Sequence, residues 1–272
     1  MISDKTSFYL QLQKDAEEIV EKAATLLVSK EHSFSIVTQK DDVDIATSAD
    51  IEAEKLIIDA IHLKYPDHGI DSEERGKMPG KSSYVWVIDP LDGTKEYARG
   101  VGEYNCLLAV EENERLVVGV TRRIGLNTLY SCSNGNGAFR DGKPIKVSAN
   151  DNLSTSIIGF HIPNKKKSKN DIRQNLNILE KLICTVYRVR PGWDTAKQFG
   201  WVAQGTLDAH IVPSHIIKWC DVASTILLVE EAGGKVTNFH GNPVKGSDYN
   251  DGIIASNGKL HEQLLSIINK SK

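Results

Sequence analysis

The sequence predicts an α/β fold, and three patterns carry the prediction. Leu12, Ala16, Ile19, Ala23 and Leu26 recur at steps of three and four, with Lys14, Glu17, Glu18, Glu21 and Lys22 opposite, which makes one amphipathic helix near the start. Short apolar runs bounded by turn residues then fill residues 85 to 148, as expected of sheet strands. Finally, IIKWCDVASTILLVEEAGG, residues 216 to 234, is apolar nearly all round and ends in two glycines, so it reads as a buried helix.

The individual elements follow in chain order. In DIATSADIEAEKLIIDAIHLKYP, residues 44 to 66, Asp44, Thr47 and Asp50 precede a second amphipathic helix ending near Pro66; taken alone, Asp50 reads as a helix cap. Glu73 and Glu74 stand side by side in HGIDSEERG, and the glycine-containing stretch KMPGKSS after them is expected to be a mobile loop. Val85, Val87 and Ile88 suit a buried strand, and Pro90 cannot donate to its ladder, so Asp89 is expected at the strand's end. NCLLAVEENERLVVGVTR reads as a hairpin turning at Glu112 and Asn113, and Thr128 to Cys132, the NGNG turn and AFRDGKPIKVS add strands. The first half is thus helices followed by antiparallel sheet. A looser stretch near Asn150 to Ser154 marks a boundary between two lobes of one unit, 1–150 and 151–272. Lys165, Lys166, Lys167 and Lys169 are expected in a solvated loop. DIRQNLNILEKL and WDTAKQFGWVAQG read as helices, the latter stopping at Gly205, and AHIV as a short strand. Asp221 falls at the start of the buried helix, and strand GIIAS and a helix over Leu260 to Ile268 close the chain.

Composition narrows the function. With 272 residues, 40% hydrophobic and 25% charged, the chain can bury a sizeable core and fits neither a disordered nor a membrane class. A net charge of -3 argues against binding a nucleic-acid polymer. Cys106, Cys132, Cys184 and Cys220 form no C-x-x-C pair, which fits reduced packing thiols in a cytoplasm. There is no basic, apolar leader pattern and no apolar run of about 18 residues, so a soluble intracellular protein is expected. The histidines give no H-E-x-x-H, and neither G-x-S-x-G nor a P-loop occurs, which leaves carboxylate chemistry.

That chemistry centres on VWVIDPLDGTKEY, residues 85 to 97. Asp89 and Asp92, with the Leu91 carbonyl between them, can present three hard oxygens from one turn, the ligand type Mg²⁺ requires. Gly93 lets the backbone approach a ligand, and Thr94 adds a hydroxyl. Glu73 or Glu74, a short loop upstream, could complete the coordination, and Asp221 is placed either to cap its helix or to point at a metal.

Taken together, DIATSAD followed by Glu54, DSEE, WVIDPLDGT, and WCDVAS followed by EEAGG resemble, in order and across most of the chain, the signature blocks of the inositol monophosphatase family. That family includes the 3′(2′),5′-bisphosphate nucleotidases. The resemblance implies an αβαβα layered sandwich of the sugar-phosphatase type, Mg²⁺-dependent hydrolysis of a small phosphate monoester with two or three ions, lithium inhibition and a homodimer. It also implies that Glu73, Asp89, the Leu91 carbonyl, Asp92 and Asp221 are metal ligands, and that Asp50 and Glu74 serve a further metal or its water shell. Gly93 and Thr94 would hold phosphate through backbone amides, and Thr94 with Glu73 would position the attacking water.

Two departures bear on the substrate. Ser214 stands where inositol-cleaving members carry a glutamate that grips ring hydroxyls. Lys95, Glu96 and Tyr97 resemble the K-E-[FY] of the nucleotidases, and Lys218 could neutralise a second phosphate. Both favour 3′-phosphoadenosine 5′-phosphate, with inositol 1-phosphate or another polyol phosphate as the alternative, the latter supported by GNGAFRDGKPIKVS. Two other classes compete. A phosphotransferase working through an aspartyl-phosphate would need a D-x-D-G-T motif, whereas this chain has D-x-x-D. A non-catalytic phosphometabolite-binding protein on the same scaffold would be expected to lack a ligand, whereas every carboxylate position is filled.

Overall fold

The structure, a computed structural model, describes residues 4–39, 45–162, 168–192, 194–213, 217–246 and 251–270. Helix α1 (Asp4–Lys30) buries Leu12, Ala16, Ile19 and Ala23 as its spacing predicts, together with Val20, Ala24 and Leu27, while the expected Leu26 is only partly buried at the edge of the stripe. A two-stranded ribbon, β1 (Ile36–Gln39) and β2 (Ile45–Thr47), leads into α2 (Ser48–Lys64), whose buried face carries Ala49, Ala53, Ile57 and Ile61. Next come β3 (Gly69–Ser72), β4 (Gly76–Met78), β5 (Tyr84–Asp92) and the short helix α3 (Thr94–Ala98). Strands β6 (Asn105–Glu112), β7 (Arg115–Arg123), β8 (Thr128–Ser133), β9 (Ala138–Arg140) and β10 (Lys143–Ile145) complete an eight-stranded sheet of order β10-β9-β8-β7-β6-β5-β3-β4. The β6–β7 hairpin forms as expected, but its turn falls at Asn113 and Glu114, φ 49° and 62°, one residue later than predicted, because Glu112 still pairs with Arg115 on the ladder.

The second half supplies β11 (Ile157–His161), α4 (Lys169–Thr185), β12 (Arg188–Gly192), α5 (Thr195–Ala203) and β13 (Ala209–Val212). It ends with α6 (Ala223–Glu231), β14 (Lys235–Asn238), β15 (Ile253–Ser256) and α7 (His261–Asn269). The second sheet has the order β12-β11-β13-β15-β14, with β11 parallel to both of its neighbours.

Strand alternation sorts the side chains into layers. On β5, Trp86 and Ile88 face α1 and α2, while Val87 joins Phe199, Val202, Val222 and Ile226 between the two sheets. The far face of the second sheet packs Phe160 and Ile211 against Leu182 of α4 and Leu264 of α7. The layers therefore run α1/α2, large sheet, α5/α6, small sheet, α4/α7, the αβαβα sandwich the resemblance implies. Gly119 on β7 is what lets α6 approach the large sheet, because a β-carbon there would lie 2.2 Å from the Ser224 carbonyl oxygen.

Several expectations are corrected. The first sheet is mixed, because β3 runs parallel to β5 with the chain between them passing through β4. Part of KMPGKSS is that strand. β5 does not stop at Asp89 but resumes pairing at Asp92 with Asn105 after a register shift, so Pro90 sits in a bulge where no ladder donor is required. Asp50 lies inside the first turn of α2, not ahead of the helix. The buried helix starts at Ala223, since the amides of Val222 and Ala223 both turn back to the Trp219 carbonyl. Lys169 opens α4, where Ser168 and Asp171 form a capping box. Asp44 and the lysines at 165 to 167 lie outside the described residues. Among the described residues, no helix is long and apolar enough to cross a membrane.

Candidate active site

The end of β5 brings the site together. Asp89 is 2% exposed, and one of its oxygens accepts the Leu91 amide at 3.1 Å, which fixes the turn between the two aspartates. Gly93 follows in the left-handed region at φ 95°, open to glycine at little cost, and it caps α3. A β-carbon at Gly93 would also lie 3.1 Å from the Glu103 carbonyl oxygen. Thr94, the first residue of α3, is thereby turned back onto the bulge, with its hydroxyl 3.0 Å from the Leu91 carbonyl and 3.0 Å from Asp50 Oδ1.

Asp50 does two jobs at once. Its Oδ2 accepts the Thr47 amide at 2.8 Å and the Thr47 hydroxyl at 2.5 Å, while Oδ1 faces Thr94. One carboxylate oxygen therefore closes the capping box of α2, and the other faces the Thr94 hydroxyl. One helical turn later, the fully buried Glu54 organises the paired glutamates. Its Oε1 accepts the Ser72 hydroxyl and the amides of Glu74 (3.1 Å) and Arg75 (3.2 Å), and Oε2 accepts Arg75 Nε at 3.1 Å. The Glu73 amide in turn donates to the Ile88 carbonyl at 3.1 Å, which sets Glu73 beside the end of β5.

From the other half of the chain, Asp221 arrives in the turn before α6. Its Oδ2 accepts the Lys218 amide at 2.7 Å, and the Lys218 ammonium reaches Glu73 Oε1 at 2.6 Å. Asp89, Cys220 and Asp221 each place one donor atom within 4.8 Å of the others. On the remaining side, Asn105 Nδ2 donates to Asp92 at 2.8 Å and to Asp194 at 3.2 Å, so one amide holds two carboxylates together.

Electrostatics match this crowding. Burial, then the charges of Glu73, Asp92 and Asp221, push the Asp89 carboxyl well above the ordinary range. Burial, then Asp194 and Asp221, do the same to Asp92. Burial lifts Asp221 to about 6; Glu73 adds to the rise, and the Lys218 amide offsets part of it. Asp50 is also raised by burial, against the bonds from Thr47 and Thr94. Burial works to lower the Lys218 ammonium, but Glu73 and Asp221 outweigh it and hold it above a lysine's usual value. Hard oxygens from several elements, mutually repelling in a buried space, fit a divalent cation of the Mg²⁺ type, whose charge would remove the repulsion.

The structure thus brings together Glu73, Asp89, Leu91, Asp92, Thr94, Asp50, Asp221 and Lys218. Gly93 shapes the turn, and Lys95 sits in the first turn of α3. The Glu74 amide is tied to Glu54 rather than directed at the cage. Ser214 lies outside the described residues. Sequence reasoning assigned no role to Glu54, Asn105, Asp194 or Cys220. Glu54 had a usable signal, since it is four residues beyond Asp50 on one helix face. Asp194 caps α5 by accepting the Lys197 amide at 2.7 Å, and its Oδ2 is buried with no hydrogen-bond partner among the described residues. Nothing in the sequence links it to a site formed by β5.

Comparison with known proteins completes the description. The sequence matches the inositol monophosphatase family over residues 3–272. It is 32% identical over 257 residues to a histidinol-phosphatase from Chlorobaculum parvum, covering 93% of this chain and 95% of that one. An inositol-1-monophosphatase from Caulobacter vibrioides is 32% identical over 235 residues, covering 84% of this chain and 89% of its own. The solved inositol monophosphatase from Anabaena (Nostoc) superposes with a TM-score of 0.83 at 28% identity, covering 96% of each chain.

Proposed function

The chain belongs to the inositol monophosphatase family of metal-dependent phosphatases, and from that premise we propose that it hydrolyses a small polyol-type phosphate monoester using water as the nucleophile. The observation that carries this reading is the convergence of Glu73, Asp89, Asp92 and Asp221 beside a Thr94 hydroxyl that is 3.0 Å from Asp50.

Phosphate-monoester hydrolysis needs accelerations up to about 10²¹, so large charge stabilisation is required. Divalent cations, two or three Mg²⁺ in this reading, supply positive charge that acidifies a water and stabilises the leaving oxygen. Glu73, Asp89, the Leu91 carbonyl, Asp92 and Asp221 are the residues that would hold them. Glu54 keeps the 73–75 turn in place, and Asn105 steadies Asp92. The Thr94 hydroxyl, held between Leu91 and Asp50, orients the water, and Asp50 is the acceptor to which its proton is directed. The Gly93–Thr94 turn presents its backbone to the phosphate.

One observation favours a substrate with one phosphate. The Lys218 ammonium that a second phosphate would require is 2.6 Å from Glu73, and the Lys218 amide holds Asp221, so the residue serves the cage itself. Relatives are named for inositol monophosphate and histidinol phosphate, and two for fructose 1,6-bisphosphate together with inositol monophosphate, so inositol monophosphate is the substrate that recurs among them. Inositol 1-phosphate therefore leads, and 3′-phosphoadenosine 5′-phosphate, supported by Lys95 and the change at Ser214, is second.

Phosphate release with Mg²⁺ across inositol 1-phosphate, histidinol phosphate and 3′-phosphoadenosine 5′-phosphate tests this. The monophosphates should show the higher kcat/KM. A higher value for the nucleotide, with a selective loss in Lys218→Ala, would transfer the assignment to the nucleotidase branch.

A further inference from the structure

Asp92 is tied to the second half of the chain by a link that its own strand does not supply. Asp92 and Asn105 stand directly opposite each other on β5 and β6, so their side chains leave the sheet on one face. Asn105 Nδ2 carries two hydrogens and gives them to two carboxylates, Asp92 Oδ2 at 2.8 Å and Asp194 Oδ1 at 3.2 Å. Turned over, the amide would set its carbonyl oxygen against both, so the two acceptors together fix its orientation. Asp194 is fixed in turn, because the same Oδ1 accepts the Lys197 amide at 2.7 Å as the cap of α5. Lys197, three residues on and on the same face of the helix, sends its ammonium to Glu103 Oε2 at 2.8 Å, two residues ahead of Asn105. The first turn of α5 is therefore fastened twice to the entry of β6, and one fastening runs through the amide that holds Asp92. Capping alone does not account for Asp194. Serine caps a helix about as well and leaves no oxygen over, whereas Asp194 is 7% exposed and its Oδ2 is buried with no hydrogen-bond partner among the described residues. Leaving a buried oxygen unpaired is costly, and what the longer side chain adds is the reach to Asn105.

We propose that Asp194 is a positioning residue for the cation site: acting through the Asn105 amide, it holds Asp92 so that one carboxylate oxygen stays bonded to the protein and the other is kept for the divalent ion. Released from Asp194, Asn105 would keep a single bond and could swing about it, and Asp92 would have to be ordered when the ion binds, at the expense of affinity. Hydrogen-bond partners that orient a metal-binding side chain in this way are worth about 10–100-fold in metal affinity. The role rests on Asp92 being a metal ligand, and it adds α5 to the elements that set how strongly the site holds its ion.

Two substitutions separate this role from capping and from charge. Asp194→Asn and Asp194→Ser both remove the charge and both leave a cap for α5, but only asparagine is long enough to reach Asn105 as well. Mg²⁺ binding to the full metal-stripped chain, measured by titration calorimetry, should be about 10-fold weaker in Asp194→Ser than in Asp194→Asn, the low end of what an outer-shell partner is worth, while the two variants share one Tm in chelator. Asn105→Ala, which cuts the link from its other end without touching the cap, should weaken Mg²⁺ by about 10–100-fold relative to wild type, and in that background the two Asp194 variants should bind Mg²⁺ equally. Equal Mg²⁺ affinity in Asp194→Asn and Asp194→Ser, a difference that survives Asn105→Ala, or wild-type affinity in Asn105→Ala would each overturn the proposal. A lower Tm in Asp194→Ser with unchanged affinity would leave Asp194 a helix cap and nothing more. Wild type separates the two readings: if it binds Mg²⁺ and releases phosphate while the variants do not differ, the role of Asp194 alone is wrong; if it does neither, the carboxylate reading fails with it.

Discussion

Asp221→Asn should stabilise the metal-free protein while nearly abolishing its activity, and the size of the first effect follows from the site. Burial raises the Asp221 carboxyl from 3.8 to about 6, which corresponds to up to roughly 3 kcal/mol against folding when the group is ionised. Below 3.8 the group is protonated in both states and there is no penalty. Between 3.8 and about 6 the unfolded chain loses its proton first, so stability falls as pH rises, and above about 6 the whole penalty is present. Asparagine carries no charge and retains an oxygen to accept the Lys218 amide, so the variant escapes the penalty without leaving that amide unpaired. In chelator at about pH 7.5 the variant should therefore gain up to roughly 3 kcal/mol, or about 5 °C in Tm for a chain of this length. At about pH 5 roughly half of that gain should remain. Added Mg²⁺ should raise the wild type more than the variant, and kcat should fall by about 10²–10³. Urea unfolding at the two pH values, with and without Mg²⁺, provides the measurement. A variant less stable than wild type in chelator at the higher pH, or a gain that does not shrink at the lower one, would refute the reasoning.

Excess chelator should eliminate phosphate release from every substrate and Mg²⁺ should restore it, because an empty carboxylate cage repels a phosphate dianion; release at full rate in chelator is the contrary result. Thr94→Val, which removes the hydroxyl between Asp50 and Leu91, should lower kcat by about 10²–10⁴ with the fold retained, whereas Thr94→Ser should keep most of the activity. Equal rates for the two variants in a steady-state assay would remove Thr94 from the mechanism. Gly119→Ala should cost about 1–3 kcal/mol in urea unfolding, since its methyl group would lie 2.2 Å from the Ser224 carbonyl oxygen and force α6 away from β7. Unchanged stability would mean that the sheet and helix separate more easily than close packing implies.

The sequence by itself determined the elements whose signals are local. The apolar stripe of α1, the β6–β7 hairpin to within one residue of its turn, and the Asp-Pro-Leu-Asp-Gly-Thr exit from β5 each depend on neighbours a few residues away. It also singled out Asp89 and Asp92 as a pair, because they share one turn and their relation is written in consecutive residues. Only the tertiary structure decided what depends on long-range packing. The parallel pairing of β3 with β5 and the strands β11, β12 and β14 have short or polar patterns that acquire meaning only beside a partner strand. Pro90 correctly signalled that the ladder is interrupted, but resumption at Asp92 depends on Asn105, thirteen residues away on β6. Likewise Glu54, Asp194 and Cys220 are unremarkable in their own segments. They enter the site because α2, α5 and the turn before α6 are packed against opposite faces of one sheet, and a buried carboxylate or thiol takes its chemistry from the charges that packing sets beside it.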